Sequence, residues 1–323
     1  MSKKKENIFK ELRTYKDSYV EEESHLPEKE AAYIVLADVL QEELELKGLP
    51  LGHVNMIYGK NNSGKTSLML HAAAQAQKQG IVPVLIITEN KLDWNRAEDM
   101  GFDAEDAIIY DNIMWLEDMF SKISEVIHHV KTGELPYNVM IFVDSLMGAE
   151  SKESMDIDKK TGVLTKKHGK QKRASVISDY MPTIMGLINR TRKTDFPNHV
   201  GLTIINQGYT NLPEFPGARA KFVANGGEKI WYPCSVVFLV KGKSKLKAVK
   251  DGKERGFGLV TKISTEKMHV NEIANSGEFI ICGAEILANK KGAVEDYKKR
   301  HKDSWGDYEV TVAKDLRDQH YED

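Results

Sequence analysis

A glycine-rich stretch near residue 60 has the residue types and spacing of a phosphate-binding loop. Two glycines enclose four residues and are followed at once by a lysine and a threonine, in the order Gly59, Lys60, Asn61, Asn62, Ser63, Gly64, Lys65, Thr66, Ser67. Glycines let backbone N–H groups turn toward a phosphate at the start of a helix, the lysine adds positive charge, and the threonine hydroxyl is a Mg²⁺ ligand. The pattern predicts a site for a nucleoside triphosphate and Mg²⁺. The alternative, a chance glycine-rich turn, is disfavoured by the apolar run before the loop and the helical pattern after it.

Two acidic residues end apolar runs further along the chain. Asp144 closes VMIFVD, where a second anchor for the metal is expected, although such an aspartate can also simply cap the next segment. Glu89 closes VLIITE and could orient or deprotonate a water molecule beside the γ-phosphate. Without further information, Glu89 is equally well an ordinary acid at a strand end.

The elements that must position these residues alternate between strand and helix. Ser67 to Gln79 is rich in alanine and glutamine and stops at Gly80, and residues 113–130 place apolar side chains three or four apart, as in helices. Short runs of Val, Ile and Leu indicate strands buried on both faces: HVNMIYG, VPVLIITE, NVMIFVD, HVGLTIINQ, CSVVFLVKG, FGLVTKIS and EFIICGAEI. The order predicts an α/β fold with a doubly wound, mostly parallel sheet.

Length and composition narrow the class of protein. The 323 residues suit one main domain, and 41% hydrophobic with 29% charged residues is the composition of an ordinary globular protein. No apolar run approaches the length of a membrane span, so we expect a cytoplasmic protein without a membrane partner. Cys234 and Cys282 are far apart and predicted to be reduced core residues. A net charge of -2 means that nucleic-acid binding would require a local basic patch.

Taken together, the motifs resemble those of the RecA-type recombinases. KGLPLGHVNMIYGKNNSGKTSL, ENKLDWNRAEDMGFDAEDAIIYDN, FVDSL, IINQ and NGGEKIWYPCSVVFLVKG follow one another in the order of that family. The resemblance covers residues 45 to about 285. Within the family, the layout of the motifs is most similar to that of the phage-type UvsX group. It implies a RecA-like P-loop NTPase core that binds ATP and Mg²⁺, the metal being held by Thr66 and Asp144.

The resemblance also implies roles for single residues. Glu89 would be the catalytic base, assisted by Lys65, and Gln207 would contact the γ-phosphate and transmit its presence to the following loop. Arg96 falls where bacterial members stack a tyrosine on the adenine, and a planar guanidinium can stack there too. A solvated helix arginine is the alternative. Lys267 matches a lysine offered across the subunit interface, although Met268 and His269 follow it.

Two segments correspond to loops that hold single-stranded DNA in this family. The first, about residues 148–174, ends in a basic run whose predicted DNA contacts are Lys166, Lys167, Lys170, Lys172 and Arg173. The second, residues 208–227, contains glycines and two prolines that disfavour regular structure, and its predicted contacts are Tyr209, Phe215, Arg219, Lys221 and Phe222. Without the resemblance, the first is a solvated charged linker as readily as a DNA site, and the second is a surface loop with buried aromatics.

The chain divides into three predicted parts. Residues 1–44 form an N-terminal arm that serves oligomerisation, residues 45–288 form the ATPase core, and residues 289–323 form a short C-terminal extension. Ile8 and Phe9 are the arm's candidate contacts with a neighbouring subunit.

The function implied is that of a DNA-dependent ATPase. It would assemble with itself into helical filaments on single-stranded DNA and exchange strands with a homologous double-stranded DNA, with a loading mediator or single-strand-binding protein as a further partner. The alternatives are a replicative helicase on the same core and a recombinase paralogue that does not exchange strands; a P-loop kinase is disfavoured because no arginine-rich lid is evident.

Overall fold

One large mixed sheet forms the centre of the fold. The computed structural model describes residues 32–45, 47–89, 91–157, 161, 164–166, 169–191, 198–211, 220–270, 275–310 and 316–320. Its strands are β1 (Tyr33–Ile34), β2 (Leu49–Pro50), β3 (Val54–Gly59), β4 (Val82–Ile87), β5 (Ile108–Tyr110), β6 (Val139–Asp144), β7 (Met155–Ile157), β8 (Leu164–Lys166), β9 (Val200–Asn211), β10 (Lys221–Ala224), β11 (Cys234–Lys250), β12 (Lys253–Met268), β13 (Ser276–Cys282), β14 (Ile286–Ala288) and β15 (Arg317–His320). Its helices are α1 (Asp38–Leu44), α2 (Lys65–Lys78), α3 (Trp94–Asp99), α4 (Leu116–Lys131), α5 (Gly169–Thr191), α6 (Glu228–Trp231) and α7 (Lys291–Arg300).

The strand order explains why the site residues can meet. The sheet runs β14-β13-β12-β11-β3-β9-β6-β4-β5, with parallel pairing from β11 to β5 and antiparallel pairing from β11 to β14. The prediction of an α/β fold with a doubly wound, mostly parallel sheet is confirmed. Because the carboxyl ends of β3, β9, β6 and β4 lie at one edge, the residues that follow these strands converge there.

The central strands are apolar throughout because both faces of the sheet are covered. Alternate side chains of a strand point to opposite faces, so Ile57 and Phe142 join the cluster that contains α2, whereas Tyr58 and Val143 join the cluster that contains α4 and α5. The apolar spacing of α4 reflects the same packing, since its buried residues are Leu116, Met119, Phe120, Ile123, Val126, Ile127 and Val130. Both cysteines are free and buried, as expected.

The described part of the N-terminal segment packs on the core. β1 pairs with β2, and the side chains of Ile34, Leu40 and Leu44 are buried in the cluster around α2. Residues 1–31, with Ile8 and Phe9, lie outside the described residues. The boundary at residue 44 and the oligomerisation role stay predictions.

The C-terminal segment also packs on the core. Val294 and Tyr297 of α7, together with Trp305, form a cluster with Phe257 of β12. Further along, β15 pairs in parallel with β11. The boundary at residue 288 stays a prediction. Residues beyond it contact the central sheet through the pairing of β15 with β11.

The two predicted DNA loops contain more regular structure than their composition indicates. In the first, β7 and β8 form a hairpin and α5 begins at Gly169, so residues 169–174 are helical. In the second, Gly208–Asn211 of β9 pair with Lys221–Ala224 of β10. The expectation of irregular structure across 208–227 was therefore too broad, and residues 212–219, which include both prolines, lie outside the described residues.

Within the part of the chain described, no helix has both the length and the apolar character needed to cross a membrane.

Candidate nucleotide-binding site

The loop between β3 and α2 has the backbone geometry that phosphate binding requires. Gly64 has φ 93°, and a Cβ atom there would stand 2.2 Å from Ile281 Cδ1. A Cβ atom on Gly59 would stand 2.1 Å from the backbone oxygen of Val240. Both positions therefore require glycine, and the loop leads directly into the N-terminus of α2, where backbone N–H groups are free to bind an anion.

The cation of the loop lies inside the site. Lys65 is buried, and its Nζ donates a hydrogen bond to the backbone oxygen of Lys60 at 2.6 Å. Burial lowers the pKa of Lys65, while the nearby carboxylates of Asp144 and Glu89 act in the opposite direction. An ammonium with three donors, held by a backbone carbonyl in a partly dry site, is suited to phosphate oxygens.

The hydroxyl and carboxylate expected to hold the metal are in contact. Thr66 Oγ1 donates to Asp144 Oδ2 at 2.7 Å. Burial raises the pKa of Asp144, and the bond from Thr66 opposes this rise. Two hard oxygen donors side by side fit Mg²⁺. Ser63 Oγ nearby is buried and has no hydrogen-bond partner among the described residues, as expected of a polar atom that meets a ligand.

Glu89 is surrounded by three polar side chains. Ser145 Oγ donates to Glu89 Oε1 at 3.0 Å, Lys91 Nζ donates to Glu89 Oε2 at 2.8 Å, and Gln207 Nε2 approaches Glu89 Oε1 at 3.4 Å. The bond from Lys91 is the main reason that the pKa of Glu89 is lowered. The carboxylate is thus kept ionised and oriented, as a group that positions water must be.

A cavity of about 510 Å³ joins these residues. The predicted site residues that line it are Asn61, Asn62, Ser63, Gly64, Lys65, Thr66, Ser67, Glu89, Arg96, Asp144 and Gln207. Gly59 and Lys60 do not line it; Gly59 is buried beneath the loop and Lys60 is exposed.

Arg96 contributes to the cavity wall beside the end of β13. Its Nε donates to the backbone oxygen of Gly283 and its Nη2 to that of Cys282, each at 3.3 Å. Burial lowers the pKa of Arg96. The guanidinium therefore forms part of a wall and is not a solvated surface group, and its stacking on adenine stays a prediction.

Lys267 lies outside this cavity. Its Nζ donates to the backbone oxygens of Trp231 and Tyr232 at 3.1 and 3.0 Å. Burial lowers the pKa of Lys267. The lysine does not act on this chain's own cavity from this position, so any contact with a phosphate would be with that of another subunit, which stays a prediction.

Lys91, Ser145 and Tyr308 are among the cavity residues that the sequence reasoning missed. Lys91 and Ser145 contact Glu89, and each stands within two residues of a predicted acid, which is the signal that could have identified them. Tyr308 lines the cavity from within the C-terminal segment. No local pattern marks it, because its position depends on how the chain returns after α7.

The basic residues of the first predicted DNA loop have acidic neighbours. Lys172 Nζ lies 2.7 Å from Glu153 Oε2, and Arg173 Nη1 lies 3.6 Å from Glu150 Oε1. Lys166 belongs to β8 and Lys170 to α5, but their side chains lie outside the described residues, as does Lys167 entirely. An acidic side chain must therefore be displaced before Lys172 can bind a phosphate through the same atoms.

The second predicted DNA loop places its aromatic residues differently from one another. Tyr209 is 44% exposed and Lys221 is exposed, whereas the ring of Phe222 stacks on Tyr58 with a centroid separation of 6.1 Å. Phe215 and Arg219 lie outside the described residues. Phe222 thus packs as the alternative interpretation of this loop expects, and its contact with DNA stays a prediction.

The sequence is similar to a protein family and to individual known proteins. The family model described as the RecA N-terminal domain matches residues 32–268. Protein RecA of Campylobacter lari is 27% identical over 269 residues, which cover 79% of this chain and 71% of that protein. Protein RecA of Mesoplasma florum is 26% identical over 284 residues, which cover 82% and 81%.

Proposed function

The chain belongs to the RecA family, and from that premise we propose that it is a DNA-dependent ATPase that assembles on single-stranded DNA and exchanges strands with a homologous duplex. The nucleotide is ATP with Mg²⁺, bound in the cavity above the phosphate-binding loop. The protein assembles with itself into a helical filament, and a loading mediator or single-strand-binding protein serves it in the cytoplasm. The UvsX-like phage subtype is part of this proposal.

One observation supports the proposal above others: Gln207 belongs to both the cavity and the strand that continues into the second predicted DNA loop. Its side chain lies 3.4 Å from the Glu89 carboxylate, and β9 extends beyond it to Asn211. The backbone N–H of Asn225, where the chain returns from β10, donates to the backbone oxygen of Gln207 at 2.8 Å. A movement of Gln207 would therefore displace both ends of the hairpin, which would link the nucleotide to DNA binding.

The residues of the cavity have separate roles in this proposal. Lys65 and the backbone at the start of α2 hold the phosphates, and Thr66 with Asp144 would hold Mg²⁺, which supplies positive charge to the phosphate oxygens when bound. Glu89 orients the attacking water and accepts its proton, while Ser145 and Lys91 fix the direction of the carboxylate. Gln207 is close enough to Glu89 to change partner when a γ-phosphate is present.

The test combines ATP hydrolysis with joint-molecule formation. We expect hydrolysis to rise with single-stranded DNA and joint molecules to form with a homologous duplex but not with an unrelated one. Lys65→Ala should abolish nucleotide-responsive assembly on single strands. A Lys65→Ala variant that still assembles in response to ATP would refute the coupling of nucleotide to DNA.

Electron microscopy separates this function from the alternatives. Open helical filaments on single-stranded DNA support the proposal, whereas closed rings with duplex-unwinding activity would identify a helicase. Filaments that hydrolyse ATP but form no joint molecules with any homologous duplex would identify a non-exchanging paralogue.

A further inference from the structure

The cavity that contains the phosphate-binding loop is also lined by residues that belong neither to that loop nor to the acidic residues. Among them are Leu92, Arg96, Leu259, Tyr308 and Val310. A nucleoside triphosphate whose phosphates lie at the N-terminus of α2 must place its base and sugar against other parts of the cavity wall. Aromatic, aliphatic and guanidinium groups are the surfaces on which a planar base packs.

Tyr308 is a packed part of the cavity wall. Its ring packs on Gly283: a Cβ atom on that glycine would be 2.8 Å from Tyr308 Cδ2. Arg96 donates to the oxygen of the same Gly283, so the arginine and the tyrosine meet at one residue. A hydrogen bond between Tyr308 and Asp99 of α3 raises the pKa of Tyr308 to about 12, so the phenol stays neutral under ordinary conditions.

The segment that carries Tyr308 is anchored on both sides of it. Val310 N donates to the oxygen of Gly256 at 2.8 Å. Glu309 pairs with Lys245 at 3.2 Å, and Asp307 pairs with Lys250 at 3.2 Å. These contacts attach residues 307–310 to the antiparallel pair β11 and β12, so that Tyr308 is presented to the cavity by the sheet that also supports the phosphate-binding loop.

We propose that the C-terminal segment of this chain completes its nucleotide site, with Tyr308 as the residue that contacts the base of the bound nucleoside triphosphate and slows its release. The inference rests on the proposed function, because it takes the cavity to be the ATP site. It assigns to residues 307–310 a role in nucleotide retention that lies outside the phosphate-binding and catalytic groups.

The test measures binding and release of ATP carrying a fluorescent group on its ribose, with the full-length protein. Tyr308→Leu keeps an apolar side chain against Gly283 but removes the flat ring, and Tyr308→Phe keeps the ring but removes the bond to Asp99. Tyr137→Leu is the matched control, since Tyr137 is 52% exposed and lines no part of the cavity. Inorganic tripolyphosphate, used as a competitor, reports only on the residues that bind the phosphates.

We expect Tyr308→Leu to weaken ATP binding at least about fivefold, the lower limit for loss of a base–aromatic contact, through faster release. Tripolyphosphate affinity should be unchanged, Tyr308→Phe should remain within about twofold of the unaltered protein, and Tyr137→Leu should match it.

Two other outcomes would overturn the inference. Unchanged ATP affinity in Tyr308→Leu would exclude a base contact, and an equal loss of tripolyphosphate affinity would indicate general damage to the site. In both cases the unaltered protein still binds ATP and the proposed function stands. Failure of the unaltered protein to bind ATP would overturn the proposed function and this inference together.

Discussion

Shortening Gln207 by one methylene tests the link between nucleotide and DNA. Gln207→Asn keeps the neutral amide but retracts it by about 1.5 Å, which takes the contact with Glu89 from 3.4 Å to about 5 Å. At that separation no direct hydrogen bond forms. The substitution therefore removes the amide's reach and changes little else.

The size of the effect should depend on whether DNA is bound. At 3.4 Å the contact is longer than a usual hydrogen bond, so the DNA-free protein loses little, and we expect its basal hydrolysis rate to stay within about twofold. If DNA binding shortens the contact, the variant loses a hydrogen bond to a charged group, about 1.5–3 kcal/mol. The DNA-stimulated rate should then fall about 10- to 100-fold.

The assay is steady-state ATP hydrolysis at saturating ATP, with and without single-stranded DNA. Gln41→Asn is the matched control, because Gln41 lies on α1 and binds the Leu36 oxygen, away from the cavity. DNA binding is measured in parallel, so that a loss of affinity is not mistaken for a loss of coupling. A Gln207→Asn variant that is fully stimulated by DNA, or that loses basal and stimulated rates equally, would refute the reasoning.

Three further substitutions test the proposed metal site, the proposed DNA contact of Lys172 and the proposed catalytic base Glu89. Thr66→Ala should raise the Mg²⁺ concentration needed for nucleotide binding about tenfold or more, because one of the two oxygen donors is lost, while Thr66→Ser should retain the wild-type requirement; titration of binding against Mg²⁺ measures both. Lys172→Gln should make the plot of log affinity for single-stranded DNA against log salt shallower by about 0.7, whereas Glu153→Gln should strengthen binding by freeing the lysine. Lys91→Met should move the acid limb of the pH–rate profile of ATP hydrolysis to higher pH, because Lys91 lowers the pKa of Glu89 and a base acts only when deprotonated.

Each of these expectations has a contradicting result. A normal Mg²⁺ requirement in Thr66→Ala would remove that hydroxyl from the metal site. An unchanged salt slope in Lys172→Gln would remove the lysine from the DNA interface, and weaker binding in Glu153→Gln would mean that the acid supports the loop and does not compete with DNA. An acid limb that stays in place in Lys91→Met would show that Glu89 is not the group whose ionisation limits the rate.

The convergence of the proposed catalytic residues could be predicted from sequence because it follows from strand order. Glu89, Asp144 and Gln207 each lie at or just beyond the carboxyl end of an apolar run, and parallel strands place those ends at one edge of the sheet. The phosphate-binding loop carries its own local signal, since glycines at fixed spacing are needed for its backbone. For this part of the site, local pattern and topology agree.

The contribution of Tyr308 could not be predicted in the same way. Residues 289–323 have no strong period or motif, and the tyrosine reaches the cavity only because the segment docks on β11 and β12 through contacts such as Val310 with Gly256. The pairing of Lys172 with Glu153 is similar, since it depends on where α5 begins relative to the preceding hairpin. Long-range docking of weakly patterned segments leaves no local trace in the sequence.

The position of β9 is the structural basis of the proposed link between the nucleotide and the hairpin. β9 lies between β3 and β6, with Gln207 opposite Gly59 on one side and Ile205 opposite Asp144 on the other. Its carboxyl end is therefore held between the phosphate-binding loop and the predicted metal ligand before it continues into the hairpin.

The hairpin is tied to the phosphate-binding strand a second time. Phe222 of β10 stacks on Tyr58, the residue immediately before Gly59, and a Cβ atom on Gly208 would stand 2.4 Å from the Phe222 ring. Because these contacts are tightly packed, the hairpin cannot shift relative to β3 without disturbing them. The end of β3 and the base of the hairpin are thus connected twice, once through the backbone of β9 and once through the stacked rings. Gln207 is the side chain at this junction that reaches Glu89, the proposed catalytic base.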